Sequence, residues 1–528
     1  STTFDRDARG RLTNRTPGVR FAYDADDRLL TIAYTNEVQS SNTYDAVGNL
    51  ERSTCAEGTV QFLHDRRSLV TNILHRDGRR TAIRYDANGN VAEISQPGGM
   101  TAAYTRDERD RITHLVWNGH VIEFDYDLAG RVIRETRSNG TETRTAYDAA
   151  GRIVTNTHTG PQGTLLSLRL ERDALGRTTN IVRQAGLLPT QPVLSQLTAT
   201  AVHNSRLQIA TYNSNSLTYD ARWNLAAATG FVQFAASYDP QDQPLSITVD
   251  GITSTYAYDG LGYRVRRTMA GVTRRYHHTR NGHLLYETDA NHNILRHYVY
   301  AQGRLIAMAS GHDTWFFHFD ANGNTLFITD KDGAIAAHYR YLPDGTSGGS
   351  FARVENPFTF SGAYGVMDDG GGLYFMRNRT YYAPLRRFLQ PDPAGLLGGS
   401  HWYSYAAGNP VDRIDPDGLS PQAIDLVDQL SEGEQTVDFV EAILENELQN
   451  SGVDLWGRLN DIIERRKARE AEGPCVITPD EAKELQAQFD SLPDSFDPRP
   501  PSSAGEAAAS STFSIPQPTF PEFSLDEN

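Results

Sequence analysis

The chain has 528 residues, more than one ordinary hydrophobic core supports, so it divides into several domains or grows as a repeat array. Its net charge of −16 is lodged at one end: from Ser420 onward there are 23 acidic against 7 basic residues, and before Ser420 there are 43 of each. A neutral body with an acidic end gives no electrostatic footing for nucleic acid. No apolar run approaches membrane-spanning length, and two distant cysteines, Cys55 and Cys475, make neither a disulfide framework nor a metal site.

The sequence opens at Ser1 inside a repeat, at Phe4-Asp5 followed by Gly10-Arg11-Leu12, with neither initiator Met nor signal peptide. A truncated or processed N-terminus is therefore expected. The repeat is Tyr-Asp-x-x-Gly-Arg/Asn-hydrophobic. It is clear at Tyr44-Asp45, Tyr85-Asp86, Tyr126-Asp127, Tyr147-Asp148 and Tyr258-Asp259, and recurs as Phe319-Asp320. Intervening copies bring the step to about 20 residues, which suits one β-hairpin per repeat. Asp-x-x-Gly reads as the turn, with Gly at a positive-φ position. The flanking segments alternate as strands do, for example Thr81-Ala82-Ile83-Arg84-Tyr85 and His297-Tyr298-Val299-Tyr300. One hairpin cannot bury a core but stacked hairpins can, so residues 1–352 read as an all-β repeat array. The low hydrophobicity fits an array with polar residues exposed on both faces. Gln184 to Ser216 breaks the rhythm and reads as a longer hairpin or an inserted loop.

His277, His278, His283, His318 and His338 are read as exposed histidines on strands and turns, since a metal site needs facing strands to collect three of them. Trp315, Phe316, Phe317 and Phe319 read as sheet packing, with a carbohydrate grip as the sharper alternative. Asp368-Asp369-Gly370-Gly371-Gly372 reads as a hairpin turn with too few ligands for a calcium loop. No phosphate-binding loop, dinucleotide fingerprint or zinc-protease motif stands in a convincing context, and no cofactor or metal is expected.

Residues 353–419 end in two similar turns, Asp392-Pro393-Ala394-Gly395 and Asp415-Pro416-Asp417-Gly418. Asp accepts from the turn backbone, Pro presets φ and Gly tolerates the exit geometry. Two readings stand. The motifs are only turns, or they bring two carboxylates together to cut a peptide bond, one protonated as acid and one ionised as base.

The tail changes composition at Ser420. Ser420-Pro421 resembles a helix start, and apolar residues recur at helical spacing through Ile424, Val440, Leu455 and Ile463. Thr478-Pro479-Asp480-Glu481 resembles a capping box. Residues 420–490 thus read as a short acidic helical tail, and 491–528 as a disordered Pro/Ser-rich end. The tail has no His and one Cys, which makes it a poor candidate enzyme on its own residues.

The Tyr-Asp repeats, together with Arg387-Phe388, Asp392 to Gly395, Tyr403, Tyr405, Asn409-Pro410 and Asp415 to Leu419, resemble RHS/YD-repeat proteins with their RHS repeat-associated core. Tyr382-Ala383-Pro384 stands where that family has Tyr-Asp-Pro. The resemblance covers residues 1 to 419. It implies a spiralling hairpin shell, a core that cuts the chain between Leu419 and Ser420 with Asp392 and Asp415, and a variable C-terminal region as cargo. In this reading Arg387 holds one carboxylate ionised by charge pairing. Catalysis is at most cis autoproteolysis without turnover of external substrates. The resemblance also implies a secreted or cell-surface polymorphic toxin, with an immunity protein as a possible partner. The alternatives are a structural or adhesive surface protein binding glycan or protein without catalysis, and a toxin acting through the tail.

Overall fold

The structure, a computed structural model, describes residues 4–15, 18–35, 37–187, 199–213, 215–230, 233–393, 401–419 and 422–423. The tail helices and the disordered end expected after Ser420 lie outside these residues, as do Ala394 and Gly395 of the first turn motif. Among the described residues the chain is nearly all β. An 18-stranded sheet runs from Phe4–Arg6 to Thr178–Ala185, and a 16-stranded sheet from Ala201–His203 to Ser347–Ala352. Each strand pairs antiparallel with the next in the chain. At the interruption, Thr178–Ala185 and Ala201–His203 belong to different sheets, so a long hairpin between them is not formed, and residues 188–198 lie outside the described residues.

Local chemistry explains the hairpins. In the turn at Asp45 the aspartate amide donates to the Asn49 carbonyl at 2.9 Å. The Asp45 carboxylate accepts from the amides of Val47 and Asn49 at 3.0 and 2.9 Å. Gly48 closes the turn at φ +97°, where a Cβ is strained. The tyrosine before each turn reaches back one hairpin: the hydroxyls of Tyr44, Tyr85 and Tyr147 each donate at 2.9 Å to the carbonyls of Leu29, Val70 and Val132. The turn arginine links consecutive repeats. Arg131 pairs with Asp127 of its own turn at 2.6 Å and lies 4.5 Å above the Tyr147 ring of the next. The Tyr-Asp-x-x-Gly-Arg pattern is therefore an inter-repeat staple as well as a turn.

The second sheet is buried on both faces over much of its length. Leu284–Thr288 and Thr325–Thr329 are buried at every residue. One face, with Val299, Ala301, Ala307 and Phe316, packs on Met100, Leu115, Trp117 and Phe124 of the first sheet. The other, with Tyr298, Met308 and Phe317, packs on Phe358, Met367 and Phe375. Full burial of each Val, Leu, Met or Phe side chain among them contributes roughly 1.5–3 kcal/mol. The expected polar exposure on both faces therefore fails here, because residues 353–419 cover one face. His278 and His283 are half-buried and His338 is buried, while the expectation of exposure fails most fully at His277, which is 4 % exposed, and His318, which is not exposed at all. They sit at the packing surfaces between sheets, where neutral imidazoles stack on aromatic rings. Phe316, Phe317 and Phe319 lie in the core.

Residues 353–419 are docked by polar anchors. The Ser361 amide donates to Asn324 Oδ1 at 2.8 Å, and the Tyr381 and Tyr374 hydroxyls to the carbonyls of Asp344 and Gly345 at 2.7 and 3.0 Å. Asp369 is buried between Arg264 at 2.6 Å and Arg267 at 3.1 Å. Its carboxylate is thus committed to two guanidinium groups. A four-stranded antiparallel sheet, Met367–Gly370, Leu373–Met376, Arg379–Tyr382 and Arg387–Phe388, leads into Asp392 and seats the Asp415 turn through Asn378.

Candidate active site

Strand alternation fixes which side chains meet. Tyr381 pairs with Phe388 and Tyr382 with Arg387 across the last two strands. Phe388 lies under Arg379, whose guanidinium carbon is 3.6 Å from the ring centre. Arg387, one residue earlier, must then face the opposite side.

Asp392 follows the strand Arg387–Phe388 and is 9 % exposed, while Asp415 is wholly buried. Both reach one nitrogen. Arg379 Nη2 lies 2.9 Å from Asp392 Oδ2 and 3.3 Å from Asp415 Oδ2. The remaining Arg379 donors are also used: Nη1 donates to the Trp402 carbonyl at 3.0 Å and Nε to the carbonyl of Gly418. Asp415 Oδ1 accepts from the Leu419 amide at 2.8 Å, with Asp417 Oδ1 a second acceptor at 3.3 Å. The turn reading and the paired-carboxylate reading therefore describe the same residue: one oxygen of Asp415 closes a turn and the other faces Asp392.

The turn is seated tightly on the sheet. Gly418 has φ +73°, and a Cβ there would lie 2.8 Å from the Met376 carbonyl oxygen. Asn378 donates to the Asp417 carbonyl through its amide at 3.2 Å and its side chain at 3.0 Å. Leu419 is completely buried. Ser420 lies outside the described residues, yet the backbone on both sides of the loop is paired, Ile414 with Gln422 and Arg413 with Ala423.

Burial pushes the Asp415 carboxyl up to about 7, against the pull of Arg379 and helped by the negative charges of Asp417 and Asp392. Burial also pulls the Arg379 guanidinium down, opposed by its carboxylates. Such a pair can hold one proton between two carboxyl groups near neutrality, the arrangement acid–base hydrolysis requires.

Of the residues singled out in the sequence, Asp392, Asp415 and Leu419 come together. Arg387 does not join them: it lines a small cleft with Leu207, Ile209, Tyr219 and Tyr403. The guanidinium at the carboxylates belongs to Arg379, in the run Arg377-Asn378-Arg379. Its signal was an arginine in a strand whose every residue is buried, where a charge needs a partner.

Comparison with known proteins locates the architecture. The family model for the Teneurin YD-shell matches residues 1–171. The tRNA nuclease WapA of Bacillus subtilis (strain 168) is 27 % identical over 381 residues, 69 % of this chain and 16 % of that protein. The probable deoxyribonuclease RhsA of Dickeya dadantii is 24 % identical over 440 residues, 78 % of this chain and 30 % of that protein. The crystal structure of TcdB2-TccC3 superposes with a TM-score of 0.61 at 16 % identity, over 79 % of this chain and 28 % of that one. The chain thus spans less than a third of each of these relatives.

Proposed function

Because this chain is an RHS/YD-repeat protein of the polymorphic-toxin kind, we propose that it cuts its own backbone between Leu419 and Ser420 and that its β-shell carries the segment beyond as cargo. The observation behind the reading is the convergence of Asp392 and Asp415 on Arg379 Nη2, with the other Asp415 oxygen on the Leu419 amide.

In this mechanism Asp415 carries the proton and Asp392 takes one from a water molecule. The water oxygen bonds to the Leu419 carbonyl carbon while Asp415 protonates the carbonyl oxygen. Collapse of the tetrahedral intermediate breaks the C–N bond: the proton gained by Asp392 passes to the departing Ser420 nitrogen, and one hydroxyl of the intermediate returns its proton to Asp415 as C=O re-forms. The products are a Leu419 carboxylate and a Ser420 amine. Arg379 fixes both carboxylates and the Gly418 carbonyl, one residue before the bond to be cut. The reaction runs once, in cis.

Residues 420–528 hold the whole charge imbalance of the chain. As cargo they are released from the shell rather than built into it, and the delivered protein acts outside the producing cell. The nuclease names of WapA and RhsA make a toxic cargo and a matching immunity protein natural partners in this reading. A second reading is favoured by one observation: Asp415 Oδ1 already satisfies the Leu419 amide, as a purely structural turn would. The repeats would then serve adhesion to glycan or protein without catalysis.

Intact mass of the purified chain separates the two. Cleavage yields a tail of about 12 kDa, in proportion to 58.6 kDa for the full 528 residues, beginning at Ser420 and absent from Asp392→Asn. A single uncut chain in both proteins overturns the cleavage reading and leaves the motifs as turns.

A further inference from the structure

Arg379 reaches both carboxylates from a position that the second sheet helps to fix. Its Nη1 donates to the Trp402 carbonyl at 3.0 Å, so the placing of Trp402 bears directly on the guanidinium. Trp402 and Tyr403 in turn rest on a repeat turn of the second sheet, with Trp223 and Tyr403 180 residues apart in the chain.

That turn, Asp220 to Asn224, is closed like the others. The Asp220 carboxylate accepts from the amides of Arg222 and Asn224 at 2.8 and 2.9 Å, and the Trp223 amide donates to the Asp220 carbonyl at 3.0 Å. Its corner residue differs. Gly48 and Gly130 hold this place in earlier repeats, and Asp27 and Ser68 are short and polar, whereas Trp223 holds it at φ +75°. A bulky side chain is rare in that left-handed region, and a fold keeps such strain only where surrounding contacts impose it. Among the described turns the large apolar corner residues are Leu207 and Trp223, in consecutive repeats. Both stand where the turns meet residues 353–419: Leu207 lines the cleft beside Phe388 and Tyr403, and Trp223 faces Trp402.

The Trp223 ring stacks on Trp402 at 5.5 Å with the planes 23° apart, and the Arg206 guanidinium lies 5.7 Å from the Trp223 ring centre. The Trp223 carbonyl accepts from the Tyr403 hydroxyl at 2.8 Å, and Gln208 Nε2 donates to that hydroxyl at 3.0 Å. Ring and carbonyl of one turn residue thus grip two consecutive residues, on either side of the peptide whose oxygen Arg379 uses. The Leu225 amide extends the contact, donating at 2.8 Å to the Leu389 carbonyl on the approach to Asp392.

We propose that Trp223 is a positioning residue for the cut at Leu419: its turn clamps Trp402 and Tyr403, holds the Trp402 carbonyl on Arg379 and so sets the guanidinium between Asp392 and Asp415. The inference rests on the cleavage reading above. It makes the site complete only once the first hairpins of the second sheet have folded, so the chain is cut after that part of the shell is assembled and not before. Trp223 acts through Trp402 and Arg379, not on the reacting atoms.

The test is the first-order cleavage rate of freshly refolded full chain, followed by intact mass from about pH 6 to about pH 8, in wild type, Trp223→Gly, Trp223→Phe and Tyr403→Phe. Trp223→Gly suits the left-handed corner but loses the stack, and is expected to cut about tenfold more slowly. Trp223→Phe keeps a stacking ring and should recover most of the rate. A guanidinium held less firmly lowers the Asp415 carboxyl less, so the pH at which the rate falls should move upward in Trp223→Gly, which a general loss of stability does not cause. Tyr403→Phe releases the Trp223 carbonyl and leaves the turn sequence intact; it should also slow the cut, and it keeps the test open if Trp223→Gly does not fold. Wild-type rates in both Trp223→Gly and Tyr403→Phe overturn the inference alone, as does a slower Trp223→Gly whose pH midpoint stays in place. A wild-type chain that is never cut overturns the cleavage reading itself, and this inference with it.

Discussion

Acidification tests the seam between the two sheets. His75 of the first sheet and His277 of the second meet at 5.5 Å, and His277 stacks on Tyr286 at 4.2 Å. His75 Nε2 bonds to Thr81 Oγ1 at 2.9 Å, and His277 Nε2 to Thr288 Oγ1 at 3.3 Å. Asp77, 3.6 Å from His277, is the acid facing them; Arg76, Arg79, His278 and His292 are the basic groups nearby. Burial, chiefly, pulls His75 down to about 3 and His277 to about 4. Both folded values lie below the unfolded value near 6.5, so the unfolded state binds more protons as pH drops. Stability is therefore full above pH ~6.5 and is lost progressively as pH falls toward ~4. From pH 7 to pH 5 each histidine costs about 2 kcal/mol, so the pair costs roughly 4 kcal/mol. The raised carboxyls of Asp239, Asp259, Glu287 and Asp320 act in the opposite sense but are common to any histidine variant. Urea unfolding of wild type and of His75→Gln/His277→Gln at both pH values isolates the seam. The double variant should lose about 4 kcal/mol less than wild type over this interval. Equal losses would refute the reasoning, whatever the variant's stability at pH 7.

Other outcomes follow from the carboxylate pair and the turns. Arg379→Met should abolish the 12 kDa fragment and destabilise the chain by about 3–5 kcal/mol, since it leaves two buried carboxylates without their cation; cleavage by this variant at the wild-type rate would remove Arg379 from the mechanism. The first-order cleavage rate of freshly refolded chain should fall as pH rises through about 7, where Asp415 gives up its proton; a rate that instead climbs through that range would assign the acid role elsewhere. Gly418→Ala combines positive-φ strain with a 2.8 Å collision against the Met376 carbonyl and should slow cleavage at least tenfold, about 1.4 kcal/mol. Gly130→Ala, at φ +86° with nothing within 4 Å, should cost only the backbone strain of about 1 kcal/mol and leave cleavage unchanged, as read by mass and urea midpoint.

The hairpin array was legible in the sequence because its causes are local. An aspartate caps its own turn two and four residues on, glycine takes the left-handed corner, and tyrosine recurs where one hairpin meets the last. All of this fits in a window of about 20 residues, so Tyr44-Asp45 through Tyr147-Asp148 could be placed without tertiary information. The Asp415-Pro416-Asp417-Gly418 turn and its carboxylate were legible for the same reason. Contacts between residues far apart in the chain decided the rest. Whether the array is one sheet or two depends on where pairing stops near Ala185, and a polar stretch read alone does not distinguish that break from a loop. The burial of His277 and His318 depends on the first sheet packing against the second, some 200 residues away along the chain in the case of His75 and His277. Choosing between Arg379 and Arg387 turned on strand register: Phe388 occupies the face beneath Arg379, so its neighbour Arg387 is turned away from Asp392 and Asp415. Side-chain direction reverses at every residue of a strand, and only the pairing of Tyr381 with Phe388 fixed which arginine faces the carboxylates.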